Sequence, residues 1–179
     1  AGVTKIPAMR EIIESIECSF ECVTVGANSR HSKKSMLPQN PTAREVSEHL
    51  LDLTGQALMS GDVQGFLDVL TFPYDLETAS GTRTYEGPNE FQEVFQAVHG
   101  HFQQMRVTLL ARHCVAAQFR SDDEVVATHE TRLISDGLLI EEPFPTLSIL
   151  VRDAAGAWKI RSSSYYVPAD SIYRAALDP

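Results

Sequence analysis

With 179 residues and 43% hydrophobic content, the chain is long enough for one globular domain with a real core and an extension. A formal net charge of −9 argues against nucleic acid or an anionic membrane surface as partner, since both need basic patches. No apolar run approaches the roughly 18 residues of a membrane span.

No basic region followed by an apolar stretch opens the sequence, so no secretory signal is visible. Three cysteines, an odd number, fit a reducing, cytoplasmic setting better than a disulfide framework. Cys18 and Cys22 have no second ligand pair nearby, so no metal is expected there.

Residues 1–41 read as an N-terminal extension. REIIESIECSFECVTV suggests a short helix running into a strand, and GANSRHSKKSMLPQNP is polar, basic and rich in turn formers, as in a loose arm. The composition breaks near Pro41, and 42–179 is expected to form the folded domain.

Thr42 followed by Glu45 is a capping box, and Val46, Leu50, Leu53, Ala57 and Leu58 make the apolar stripe of a first helix over 42–59. Ser60-Gly61-Asp62 ends it and starts a second helix, predicted over 62–71 with Phe66, Leu67 and Leu70 turned inward. FPYDLETA and TRTYEG form a small hairpin around Ser80-Gly81. Pro88 opens a third helix over 88–105, striped by Phe91, Val94, Phe95, Val98 and Phe102.

Residues 106–167 then alternate with a period of two, as four long antiparallel strands do. A tight turn at Ser121–Asp123 sets Phe119 opposite Val125, Val115 opposite His129 and His113 opposite Thr131. That register places His113, His129, Thr131, Leu147, Ile149, Val151, Trp158, Ile160, Ser162, Ser164 and Tyr166 on one face. Arg112, Cys114, Glu130, Arg132, Arg152, Arg161 and Tyr165 fall on the other. The expected fold class is α+β: three helices packed on a strongly curved, mostly antiparallel sheet, forming a cone with a central pocket.

This order of elements resembles the nuclear transport factor two-like superfamily, the SnoaL-like, cystatin-like cone. The likeness is carried by SGD between the first two helices, FPYDLET after them, YEGPNEF before the third helix, and LVRDAAGAWKIRSSSYY with its Gly-x-Trp-Lys-Ile. It covers roughly residues 42–167. The resemblance implies a small-molecule pocket and sheet-to-sheet homodimers. Activity is not implied, because the superfamily holds isomerases, cyclases, dehydratases and pure binding proteins.

Enzymes of the group place a carboxylate or histidine deep in the cone as general base. The strand that carries an Asp in ketosteroid isomerases reads PYDLETAS here, with Thr78 and Ala79 nearest that position; Asp75 stands earlier, at the strand's start. The catalytic candidates are therefore His113, His129 and Asp75. Ligand contacts are expected from Tyr74, Phe95, Phe102, Thr131, Trp158, Ser162, Ser164 and Tyr166. Glu130 faces away from His129 on a regular strand, so the pair does not form a metal site, and no cofactor motif occurs. Two functions follow as expectations. One is acid–base work on a hydrophobic cyclic or carbonyl compound. The other is a non-catalytic ligand-binding or association module, in either case a homodimer through the outer sheet face.

Overall fold

The computed structural model describes residues 37–167, 171 and 173–177. Two units are distinguished along the chain, Ala1–Ser35 and Met36–Pro179, and all described residues belong to the second. The helix and strand expected before Met36 lie outside them, as do Cys18 and Cys22.

Helix α1 (Ala43–Ser60) begins at the predicted capping box. Glu45 donates its backbone N–H to Thr42 Oγ1 at 3.2 Å, and the Thr42 N–H donates to Glu45 Oε2 at 2.8 Å. Gly61, with φ 76°, takes the left-handed turn that ends the helix, and a residue with a Cβ is strained there. The second helix, α2 (Val63–Leu67), is shorter than predicted: Asp68 closes it, and Leu70 already belongs to a strand. Strands β1 (Leu70–Thr78) and β2 (Gly81–Tyr85) form the small hairpin, and α3 (Pro88–Gln104) follows. The long sheet is β3 (Leu109–Ser121), β4 (Glu124–Ser135), a two-residue β5 (Leu138–Leu139), β6 (Phe144–Arg152) and β7 (Trp158–Tyr165). A last short helix, α4 (Arg174–Leu177), closes the described chain.

All seven strands join one open, mostly antiparallel sheet in the order β2-β1-β7-β6-β4-β3, with β5 on β4. The exception is β1, which runs parallel to β7. Helices α1 and α3 pack their apolar stripes on the sheet's inner face. Val46, Leu50, Phe91, Phe95 and Phe102 are all buried there. Phe66, Tyr74 and Tyr85 crowd around Phe91 with ring centroids 6.1, 5.0 and 5.1 Å away. Phe102 and Phe144 sandwich the ring of Tyr173 at 5.7 and 5.2 Å. No described helix is long and apolar enough to cross a membrane.

The register departs from the predicted one at three places, each with a physical cause. Phe119 does face Val125, but a bulge between Cys114 and Ala116 inserts Val115, so Cys114 faces His129 and Arg112 faces Thr131. An extra residue shifts the alternation of everything before it. Arg112 and Cys114 therefore point inward, and His113 points out. The bulge is held by α1. Glu48 Oε1 accepts the Cys114 N–H at 2.8 Å, and Arg44 donates to the Cys114 and Val115 carbonyls.

On β6 the inward residues are Phe144, Thr146, Ser148 and Leu150, because they stand opposite Thr131, His129, Ala127 and Val125 of β4. Leu147, Ile149 and Val151, expected inside, lie on the outer face. On β7, Trp158 and Ile160 point inward as predicted. The register then slips by Arg161, so Ser163 and Tyr165 turn inward while Ser162 and Ser164 turn out.

Candidate functional site

The slips gather polar groups in the middle of the inner face. Between α1 and the sheet lies an internal space of about 20 Å³ lined by Ser47, Thr54, Tyr74, Arg112, His129, Ser148, Ser163 and Tyr165, with Leu50, Phe66, Leu70, Leu150 and Ile160 as apolar wall. That volume holds about one water molecule.

Each polar group has a defined placement. Ser148 and Ser163 share a hydrogen bond of 3.1 Å, and Ser163 in turn bonds the Tyr74 hydroxyl. Arg112 crosses to α1, where Nη2 donates to Thr54 Oγ1 at 2.8 Å and to the Leu51 carbonyl. The residue is half-buried, and burial lowers its pKa, with the Asp52 carboxylate among the groups that oppose the shift. No ion pair links it to a described carboxylate; the five ion pairs among described residues all involve other arginines.

Burial, with further contributions from Arg112 and His113, pushes the pKa of His129 down to about 3. Its imidazole is therefore neutral at ordinary pH. Burial also pushes up the hydroxyls of Tyr74, Tyr165 and Tyr173. Thr146, opposite both His129 and Tyr165, is fully buried, and its Oγ1 has no hydrogen-bond partner among the described residues. Among the described residues, the cavity wall carries no Asp or Glu.

Among the residues singled out from sequence, Tyr74 and His129 line this space. Thr131 shares the inner face beside it. Phe95 and Phe102 pack in the helical core instead, and Trp158 sits 6.1 Å from Phe119 with the Arg152 guanidinium 4.9 Å from its ring. His113 is exposed on the outer face. Asp75 is exposed too and accepts a 2.7 Å hydrogen bond from Thr84. Ser162 and Ser164 face outward, with Ser164 donating to Glu77, and Tyr166 lies just beyond β7, half-buried. The structure thus does not bring His113, His129 and Asp75 together. It adds Arg112, Ser148, Ser163 and Tyr165, which the assumed register put elsewhere. One signal for Arg112 was present in the sequence: Gly55 interrupts an otherwise good helix. A Cβ at that position would lie 2.9 Å from Arg112 Nη2, so a larger residue there would push the guanidinium aside.

The described residues hold no group of three or more His, Cys, Asp or Glu able to bind a metal. No family model matches the sequence, and no curated protein does. Solved structures match its fold. A cystatin-like domain of unknown function from Nostoc punctiforme superposes with a TM-score of 0.56 at 18% identity, covering 76% of this chain and 85% of that one. An NTF-2 like protein of unknown function from Shewanella oneidensis gives 0.55 at 11% identity, covering 69% and 98%. A ketosteroid isomerase-like protein from Erwinia carotovora atroseptica gives 0.51 at 18%, covering 70% and 97%. The fold is therefore the NTF2-like, cystatin-like α+β fold. Identities this low say nothing of activity.

Proposed function

We propose that this domain binds a small polar ring or carbonyl compound against the inner sheet face, and that it does so by binding rather than by acid–base catalysis. The convergence of Arg112, His129, Tyr74, Ser163 and Tyr165 on one internal space supports this. A dry core would be built more stably from apolar groups, since each buried polar group must find a partner or cost about 1–3 kcal/mol. The chemistry of the wall argues against the catalytic reading. A general base works best with a pKa near the operating pH, whereas His129 stays neutral down to about pH 3 and no carboxylate stands beside it.

The internal space is too small for such a ligand as it stands, so binding requires it to open. Arg112 borders both this space and an open groove of about 310 Å³ between α1 and β3. Movement of that one side chain joins the two. Titration with benzamide, followed by amide chemical shifts, tests the reading. Saturable shifts at His129, Ser163 and Tyr165, lost in a folded His129→Leu variant, are expected. Shifts spread over the outer face, or none at all, would sink it.

The outer sheet face supports self-association as well. Leu147, Ile149 and Val151 lie there half-buried, with Val115 39% exposed on the same side. Burying such a face is the usual use of a contiguous apolar surface. We take the domain to be a homodimer through it. Ile149→Glu should halve the sedimentation mass, and a native protein that is already monomeric at micromolar concentration refutes the assignment.

A further inference from the structure

Arg112 carries hydrogen-bonding capacity that the binding reading alone does not use. Its guanidinium borders the open groove between α1 and β3, with the Asp52 carboxylate acting on its charge from α1. Its acceptors are one carbonyl and one hydroxyl, and both bonds leave from Nη2. Among the described residues, Nη1 and Nε carry no hydrogen bond and no carboxylate forms an ion pair with the group. Gly55 in mid-helix is a weaker helix former than Ala, and its missing Cβ leaves room for the guanidinium to lie against the helix.

The surroundings narrow the missing partner. The groove that reaches Arg112 from outside is walled by Leu51, Met59, Leu109 and Leu110, with Thr108, Gln56 and Asp52 completing it. Leu109 is half exposed there, an apolar surface with nothing described upon it. On the inner side stand neutral His129 and Tyr165, with the buried Thr146 hydroxyl, unpartnered among the described residues, opposite His129. One cation, neutral donors and an apolar trough match a single negative charge on an apolar body. Asp52, exposed on α1, disfavours anything more highly charged, and a phosphate dianion would need a second cation.

We infer that the groove between α1 and β3 is a binding site for a small monocarboxylate, with the carboxylate on Arg112 and the ring or chain along Leu51, Met59, Leu109 and Leu110. The inference rests on the binding reading above and assigns its ligand class. Guanidinium and carboxylate meet as a two-pronged, charge-assisted pair, which a lysine does not reproduce.

The test compares benzoate with benzamide, which share a ring but differ in charge, and uses inorganic phosphate as a third probe. Affinities are read from amide shifts of the full chain at neutral pH. Benzoate should bind about tenfold or more tightly than benzamide, with shifts centred on Thr54, Gly55 and Arg112, and phosphate should not compete. Arg112→Gln should bring benzoate down to the benzamide level, and Arg112→Lys should restore only part of the difference. Should Arg112→Gln fail to fold, the comparison of probes on the native chain still decides. Equal binding of benzoate and benzamide overturns the carboxylate assignment and leaves the binding reading standing. Phosphate binding more tightly than benzoate also overturns it. If none of the three binds, both readings fall together.

Discussion

Protonation of His129 gives the sharpest quantitative test of the interior. Its pKa falls from 6.5 to about 3 on folding, because burial and the nearby Arg112 disfavour the charged ring. Between those two values the unfolded chain binds a proton that the folded one does not, so stability must rise with pH through this window and fall as the solution is acidified. At about pH 5 the penalty relative to neutral pH is roughly 2 kcal/mol, from the free energy of protonating the unfolded imidazole. His101, which burial also pushes down, adds a loss of its own. Urea unfolding of the native chain and of His129→Gln, near pH 5 and near pH 7.5, separates the two. The native protein should lose about 2 kcal/mol more than the variant over this interval. Equal losses would mean that His129 reaches water or keeps its proton, and the account of the interior as a closed, neutral patch would fail.

Two glycine substitutions should behave oppositely. Gly100→Ala in α3, where no atom lies within 4 Å of the added Cβ, should stabilise the fold by about 0.5–1 kcal/mol in thermal or urea unfolding. Gly55→Ala should fail to show this gain and lower the melting temperature, because its Cβ displaces the Arg112 guanidinium. Glu48→Ala, which leaves the Cys114 N–H without its acceptor, should cost about 1–3 kcal/mol and speed exchange of that amide.

The sequence was most informative where periodicity alone decides the structure. The capping box at Thr42, the phenylalanine stripe of α3, the turn after Phe119 and the inward set of β4 all follow from local pattern. The inward residues of β3 and β7 did not, because Val115 and Arg161 each add a residue that side-chain polarity does not mark. Strand β6 misled for a different reason. Its apolar residues Leu147, Ile149 and Val151 lie outside, while Thr146 and Ser148 lie within, so hydrophobicity pointed to the wrong face. The same inversion hid the site: the groups that line it are polar residues that a rule of apolar interiors sends to the surface. A glycine in mid-helix, Gly55, is the one sequence feature that the position of Arg112 explains, and the sequence reading did not use it.

The strand order bears on how the domain is made. β7 is the last of the described strands in sequence, yet it lies between β1 and β6 and holds the two parts of the sheet together. Until residues 158–165 are available, β1 and β2 remain an isolated hairpin, which is marginal alone in water, while β3, β4 and β6 can already pair as neighbours in sequence. Joining Leu70 to Ile160 closes a loop spanning most of the domain, an entropic cost met only at the end of folding. On the ribosome, the β1–β2 hairpin therefore waits for a strand made much later, while α1 can already pack on β3. A chain truncated ahead of Trp158 would expose the inner edges of β1 and β6 and be prone to aggregate rather than fold in part.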